Sequence, residues 1–437
     1  MNTASTAAPR TTQTLRATIA GQVFVRGEAG YDQTRRAWNL AVDERTVVVV
    51  AAGSAADAAQ AVRHARAHGM QIAPHGTGHG AEPLEPLDGA MPLRTTRMRQ
   101  VRIDPAARTA RAEAGAVWED VTGPAGQHGL AALAGSSPNV AVTGYTLGGG
   151  LGWLARRYGL AANKVTAAEL VTPGGDLVRA DAGHEPDLFW AVRGGGVVGV
   201  LTALEMRLYP VRELDAGDLF FPIARAAEVL HAWREWTAAV PDEVTSLAHL
   251  LRLPTLPELP DQLRGRAFAI LEAACLGGAD AGIELTGPLR RLSPERDTFA
   301  MIPVPALGQL NMDPPRPTPS QGDGAFLAGF PAAAVNAWSP WPGRTPRHRR
   351  TASRSATWAA RWPAPPLKAA PSPASTRATC CTPPASPPHP TWPARYARTC
   401  ERSRTPSHPG TPATTTTTSK RPRPRPPLCS RPPPIAA

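Results

Sequence analysis

Residues 71–80 read QIAPHGTGHG, and residues 135–165 read GSSPNVAVTGYTLGGGLGWLARRYGLAANKV. The first stretch opens as a short strand, Gln71–Ala73, and runs into the loop Pro74-His75-Gly76-Thr77-Gly78-His79-Gly80. Glycine lets a backbone approach a ligand closely, and successive N–H groups in such a loop form an anion-binding nest. The second stretch repeats the device some sixty residues later. Neither is the strand, G-x-G-x-x-G and helix of a dinucleotide fold, and neither is a P-loop, because no Gly-Lys-Ser/Thr follows.

Working outward, Thr46–Ala52 (TVVVVAA) is a β-branched apolar run that predicts a buried strand. Ser54 then stands as an N-cap with Asp57 three residues on, close to a capping box, and Gly69 closes a helix over Ala55–His68. Val101–Ala114 predicts two short strands around Asp104-Pro105, and Trp118–His128 a helix. Ala167–Arg179 predicts a hairpin turning at Pro173-Gly174-Gly175, and Val197–Tyr209 a long strand. Beyond residue 211, Asp215–Phe221, Ser246–Leu251 and Ala267–Leu276 look like strands, and Ala224–Ala239, with Leu230, Trp233 and Trp236, like an amphipathic helix. The class is α+β: a domain that grips an extended ligand by backbone contacts, then an antiparallel sheet with helices on one side.

The chain has 437 residues, enough for two or three domains, and its 42% apolar content is ordinary for a soluble protein. No run of eighteen apolar residues occurs, which argues against a membrane-spanning helix. Residues 1–20 lack an apolar h-region, so a flexible N-terminus without a signal peptide, and a cytoplasmic location, are expected. The five cysteines form neither a disulfide scaffold nor a zinc pattern.

The net charge of +12 is unevenly spread. Residues 325–437 hold 17 Lys and Arg, a single acid (Glu401), 25 of the 49 prolines and four of the five cysteines. A Pro/Arg-rich disordered tail over 336–437 is one reading, and a nucleic-acid arm another. Neither explains Trp338, Trp341, Trp358, Trp362 and Trp392. Out-of-frame translation of a GC-rich gene does. Read one base earlier, the codons of Ala356–Pro363 permit Arg-His-Leu-Gly-Gly-Ala-Leu-Ala, and those of Thr411–Ser419 permit Tyr-x-Asn-Tyr strings. This places a slip near Val335–Trp338 and predicts that the chain as written is unstable or inactive.

A lone histidine in a loop is more often a surface or hydrogen-bonding residue than a ligand. The Gly-x-Gly-His turn of His79 after a strand, with a second glycine block downstream, favours a cofactor contact. His75 and His79 do not make a metal site, because no nearby Cys or carboxylate completes one.

Tyr31-Asp32, Arg36, Trp38-Asn39, Pro74–Gly80, Gly135-Ser136-Ser137-Pro138, Gly148–Gly152, Tyr158-Gly159-Leu160, Asp187–Trp190 and Arg193–Gly196 occur in this order. Together the ensemble resembles the PCMH-type FAD-binding domain of the vanillyl-alcohol oxidase superfamily, within it the berberine-bridge-enzyme-like and 6-hydroxynicotine oxidase group. The resemblance covers roughly residues 20–210. It implies a two-subdomain FAD-binding domain over 21–210 and an incomplete antiparallel-sheet substrate domain over 211–335. It implies FAD held by Pro74, His75, Gly76, Thr77, Gly78, His79 and Gly80, with His79 in the place where relatives carry a covalent flavin. His75 would be a supporting polar group. Ser137 stands before Pro138 where some members carry a second, cysteinyl link. Val142, Thr143, Gly144, Gly148, Gly149, Gly150, Gly152, Tyr158 and Gly159 would line the flavin and ribityl chain, and Val200 the adenine half. Val197-Val198-Gly199 departs from the family's usual Gly-Asn-Phe-Gly. The implied function is an oxidase taking a hydride from a C–O or C–N carbon of a small molecule and passing electrons to dioxygen. Alternatives are a flavin-dependent dehydrogenase or reductase with another acceptor, and a basic nucleic-acid binder acting through the tail. No catalytic base is assignable, since the family's acid/base groups fall in the lost segment.

Overall fold

The computed structural model describes residues 8–338, except 83–86, 88, 197, 256, 258, 323–326 and 328, together with the backbone strand at 353–358. The first subdomain is built from α1 (Ala8–Thr18), β1 (Gln22–Val25), α2 (Tyr31–Arg35), β2 (Val48–Ala51), α3 (Ala55–Ala67), β3 (Gln71–His75) and β4 (Ala90–Arg94). Its sheet runs in the order β1-β2-β4-β3, with β4 parallel to both β2 and β3. All four residues of β2 are buried, as expected of a strand covered on both faces. Ser54 caps α3 by accepting from the Asp57 N–H. The Asp57 carboxylate does not close the box. It accepts from Gly53 and Ala20 instead, tying α3 to the chain before β1.

That tie bears on the N-terminus, which was expected to be flexible over 1–20. Residues Ala8–Thr18 are a helix instead. Leu15 is 1% exposed in the core that α3 builds, and Arg16 donates to the Val23 carbonyl. One buried leucine in a Thr- and Arg-rich segment is too weak a periodic signal to read.

The second subdomain comprises β5 (Val101–Asp104), β6 (Thr109–Glu113), α4 (Trp118–Gln127), α5 (Val142–Leu147), α6 (Ala155–Tyr158), β7 (Val165–Val171), β8 (Leu177–Asp181), α7 (Pro186–Arg193) and β9 (Val200–Arg207). Its antiparallel sheet has the order β5-β6-β9-β7-β8 and packs on Trp118, Val121, Val142 and Phe189. The glycine-rich block 135–165 becomes short helices joined by turns.

The third sheet carries β10 (Glu213–Pro222), β11 (Val244–Arg252), β12 (Ala267–Cys275), β13 (Arg296–Asp297), β14 (Ala300–Pro303) and β15 (Ser353–Trp358), with the order β13-β10-β12-β11-β15 and β14 also on β10. One face is covered by α8 (Ala226–Ala239), α9 (Ala279–Arg290) and α10 (Ala332–Trp338). Val229, Leu230 and Trp233 of α8 meet Leu219, Phe221, Ala248 and Leu271 there.

Part of the expected disordered tail is therefore structured. α10 runs on through Trp338, and the rings of Trp233, Phe330 and Trp338 meet edge to face at 5.9 and 5.7 Å. Ser353–Trp358 pairs along β11 from Leu251↔Ser353 to Ser246↔Trp358. Backbone pairing at an open sheet edge is available to any sequence, so it needs no apolar pattern. The rest of the tail reading, over 339–352 and 359–437, lies outside the described residues.

Candidate functional site

β3 extends two residues further than the sequence suggested and carries His75 into the interior. The His75 Nδ1 lies 3.1 Å from Arg94 and 3.3 Å from the Glu44 carboxylate, all three side chains being buried. Burial, with Arg94 adding to it, lowers the His75 pKa to about 4. Arg94 also donates to the carbonyls of Thr34 and Arg35. The His75 imidazole thus anchors the end of β3 rather than the loop.

From there the chain turns past residue 141. A Cβ on Gly76 would stand 2.6 Å from that of Ala141, so only glycine permits the approach. Gly78 has φ +85° and presses on Ala37 and Trp38. Trp38 and Asn39 donate to the carbonyls of Thr77 and Gly78, fixing the loop from outside.

His79 is the most constrained side chain of the loop. It stacks on Trp38 with ring centroids 4.3 Å apart and planes 12° from parallel. Its Nδ1 is 2.8 Å from the Thr77 hydroxyl and its Nε2 3.2 Å from the Asn139 amide oxygen. The Ser137 hydroxyl donates to that same amide oxygen at 2.9 Å. An amide oxygen only accepts, so Nε2 carries the proton and Nδ1 presents its lone pair to the Thr77 O–H. Burial, partly offset by the Asn139 bond, brings the pKa to about 4, so the ring is neutral near pH 7.

The other wall is the start of α5. Val142 and Thr143 are buried, and Thr143 donates to the Ala114 carbonyl at 3.0 Å. In these two glycine-rich stretches, an added Cβ would meet nothing within 4 Å at Gly80 and Gly144, which face open space. Gly150 and Gly152 are different: a Cβ would strike Ala161 and Tyr145 at the first and the Ala134 carbonyl at the second. These two glycines serve internal packing. Gly148 ends α5, and Gly149 has φ +106°. Tyr158 packs on Tyr209 with ring centroids 4.0 Å apart, and Gly159 follows with φ +85°. Pro138 accepts from the Glu119 N–H. The Val200 side chain is buried with Val171 in the core of the first subdomain.

Three features were not read from the sequence. Asn139 orients His79, although it stands only two residues beyond Ser137. Residues 311–320 cross the site. Asp313 accepts from Ser136 at 2.9 Å, and Asn39 exchanges two bonds of 2.8 Å with the backbone of Ser320. The sheet face opposite the helices carries Asp218, Glu272 and His249. The legible trace of that last group was Glu272, a lone charge in the apolar run AFAILEAAC.

Among the described residues no group of His, Cys, Asp and Glu is arranged to hold a metal ion, and no helix is long and apolar enough to cross a membrane.

Residues 46–181, which span both walls of this site, match the family model described as an FAD binding domain. Over that stretch the chain carries an FAD binding domain, and it is similar in sequence and in fold to FAD-linked oxidoreductases. It is 35% identical over 201 residues to (R)-6-hydroxynicotine oxidase of Paenarthrobacter nicotinovorans, covering 46% of this chain and 44% of that protein. The chain thus spans about half the length of the curated relatives it matches. A berberine-bridge-enzyme-like protein of Physcomitrella patens shares the fold at a TM-score of 0.75 and 20% identity, over 90% of this chain and 87% of that one. Glucooligosaccharide oxidase of Acremonium strictum, described with a 6-S-cysteinyl, 8α-N1-histidyl FAD, does so at 0.72 and 19%, over 89% and 86%. FAD fits these residues: a Cβ would meet nothing within 4 Å at Gly80, in the loop, and at Gly144, in α5, and His79 is neutral.

Proposed function

We propose that the chain is an FAD-linked oxidase whose flavin is attached at His79 alone, and which oxidises a C–O or C–N carbon of a small organic molecule at the expense of dioxygen. The observation that carries this reading is the His79 lone pair, held neutral and aimed by Thr77 and Asn139. Only an unprotonated ring nitrogen can form a histidyl bond of the kind that the glucooligosaccharide oxidase has beside its separate cysteinyl, carbon–sulfur link. Ser137 stands beside Asn139 with a hydroxyl in place of a thiol, which supports a single attachment. The N–H groups of Gly76–Gly80 would hold the pyrophosphate, and α5 with Gly144 the ring side. When bound, the flavin supplies the two-electron acceptor. The protein's part is to orient substrate, exclude water and hold protons.

The test is acid precipitation of the purified yellow protein. Flavin should stay with the wild-type pellet and leave His79→Ala entirely; flavin retained by the variant overturns the attachment. Rapid reoxidation by air after anaerobic reduction supports dioxygen as acceptor, and reoxidation only by an added quinone or dye counts against it. We also read the residues after about 336 as out of frame. Sequencing across codons 320–345, and restoring the frame there, should raise flavin content and turnover together.

A further inference from the structure

On the helix-free face of the third sheet, Asp218 and Glu272 are direct cross-strand partners. Like charges placed so are destabilising. Glu272 is 0% exposed, and neither of its carboxylate oxygens has a hydrogen-bond partner. Asp218 Oδ1 is also unpartnered, while its backbone N–H is bound by Thr298. His249, on β11, brings Nδ1 to 3.7 Å from Glu272, and its buried Nε2 has no partner. Asp313 faces the same group from the crossing segment 311–320, held by Ser136 and Asn311. Ser136 is the covalent neighbour of Ser137, which ties to Asn139 and so to His79. The cluster therefore adjoins the His79 site through 136–139.

The electrostatic balance is lopsided. Among the described residues, the one basic side chain acting on Asp218 is Arg296, whose guanidinium lies over the Phe220 ring. No described arginine or lysine contacts Glu272. Burial drives His249 to about 4, leaving it neutral, and drives Asp218 up to about 7. Burial and the neighbouring Asp218 and Asp313 raise Glu272 well above its ordinary range. Buried polar groups in native proteins have partners, so an unsatisfied pair of carboxylate oxygens calls for one. On the same face, Phe220, Phe268 and Ile270 lie to one side of the carboxyls, and Leu214, Ala216 and Ala274 to the other.

We propose that Glu272, with Asp218 and Asp313, is the substrate-side binding site for a small organic cation: a primary or secondary ammonium on an apolar, aromatic-sized body. The identity of this cation as the substrate rests on the oxidase reading above; the cation site itself does not. The ammonium donates to the two free oxygens of Glu272, and Asp218 and Asp313 supply the remaining negative field. A carboxyl that is protonated in the free protein gives up its proton to solvent as the ammonium enters. Binding therefore releases up to one proton.

Calorimetric titration of the full chain with benzylammonium, and with benzyl alcohol as its uncharged counterpart, tests this. The wild type should bind the amine roughly tenfold or more tightly than the alcohol, the scale of a charge-assisted hydrogen bond. It should release protons on doing so, seen as a dependence of the heat on buffer ionisation. Glu272→Gln should lose both the preference and the proton release, while affinity for the alcohol stays unchanged. Asp313→Asn, farther from the sheet interior, should lower the preference in the same direction without loss of folding. Equal binding of amine and alcohol by the wild type, or a preference untouched by both substitutions, overturns the cation site. A chain that retains FAD yet shows no preference breaks only this proposal. A chain that binds the amine through Glu272 but takes up no FAD breaks the oxidase reading instead.

Discussion

The loop around His79 and the helix-free face of the third sheet are made of different material. The loop wall, 74–80 with 139–144, is backbone: N–H groups, glycines with open or tightly apposed faces, and one oriented imidazole. The sheet wall, β10 to β12, is side chain: Asp218, His249 and Glu272, one on each strand, buried with Asp218 Oδ1, His249 Nε2 and both Glu272 oxygens lacking hydrogen-bond partners. Backbone groups present the same donors in every relative that keeps the turn, whereas side chains on a sheet can be exchanged singly. The loop wall suits a cofactor shared across a family, and the sheet wall suits a substrate particular to this chain.

Each contrast gives an experiment. The loop wall should fail all at once. Gly76→Val forces a side chain into the 2.6 Å gap to Ala141. Overpacking of this kind costs about 1–3 kcal/mol, but the larger effect is the displaced nest: the variant should emerge from desalting colourless while still folded by circular dichroism. Retained flavin would mean that the loop is not the cofactor's seat.

The sheet wall should instead yield stability when its charge is removed. Asp218 ordinarily titrates at 3.8 and is raised to about 7 by burial. Between these values the folded protein keeps a proton that the unfolded chain has released, so stability falls as pH rises through the window. Asp218→Asn lacks this loss. Its advantage over wild type should grow by on the order of 2–4 kcal/mol from pH ~4 to ~7. His75, His79 and His249, lowered to about 4, act in the opposite sense below their ordinary 6.5 but are common to both proteins and cancel in the difference. Denaturant midpoints at several pH values measure it; a difference independent of pH would refute the burial.

The smallest effect lies where the walls are tied. Asn39→Ala removes both bonds to Ser320 and should cost about 1–2 kcal/mol in urea. Flavin content should hardly change, because Trp38 still stacks on His79. A stability loss within error would show that the bonds of Thr318 to Trp38 and Leu40, with Asp313 to Ser136, suffice to hold segment 311–320.

Much of the loop wall was legible because its signals are local. Ser54 capping Asp57, the β-branched run at 46–52 and the glycines at 76, 78 and 80 act within a few residues of themselves. The sheet wall gave strands but no site. Glu272 and Asp218 are 54 residues apart, and only the register Asp218↔Glu272 makes them neighbours. The tail misled in a further way: composition argued for disorder from residue 336, yet α10 continues through Trp338 because Phe330 and Trp233 give its ring a place to pack.

The sequence by itself determined the α+β class, the glycine-rich loop and the place of His79 at its turn. Each follows from residue types whose backbone preferences do not depend on distant partners. Tertiary structure alone decided that His75 turns inward to Arg94 and Glu44, that Asn139 and Thr77 set the proton on His79, and that Asp218 and Asp313 converge on a buried Glu272. The physical reason is that charge state and hydrogen-bond role are set by burial and by neighbours brought together through strand pairing and segment crossing, and neither is written in the spacing along the chain.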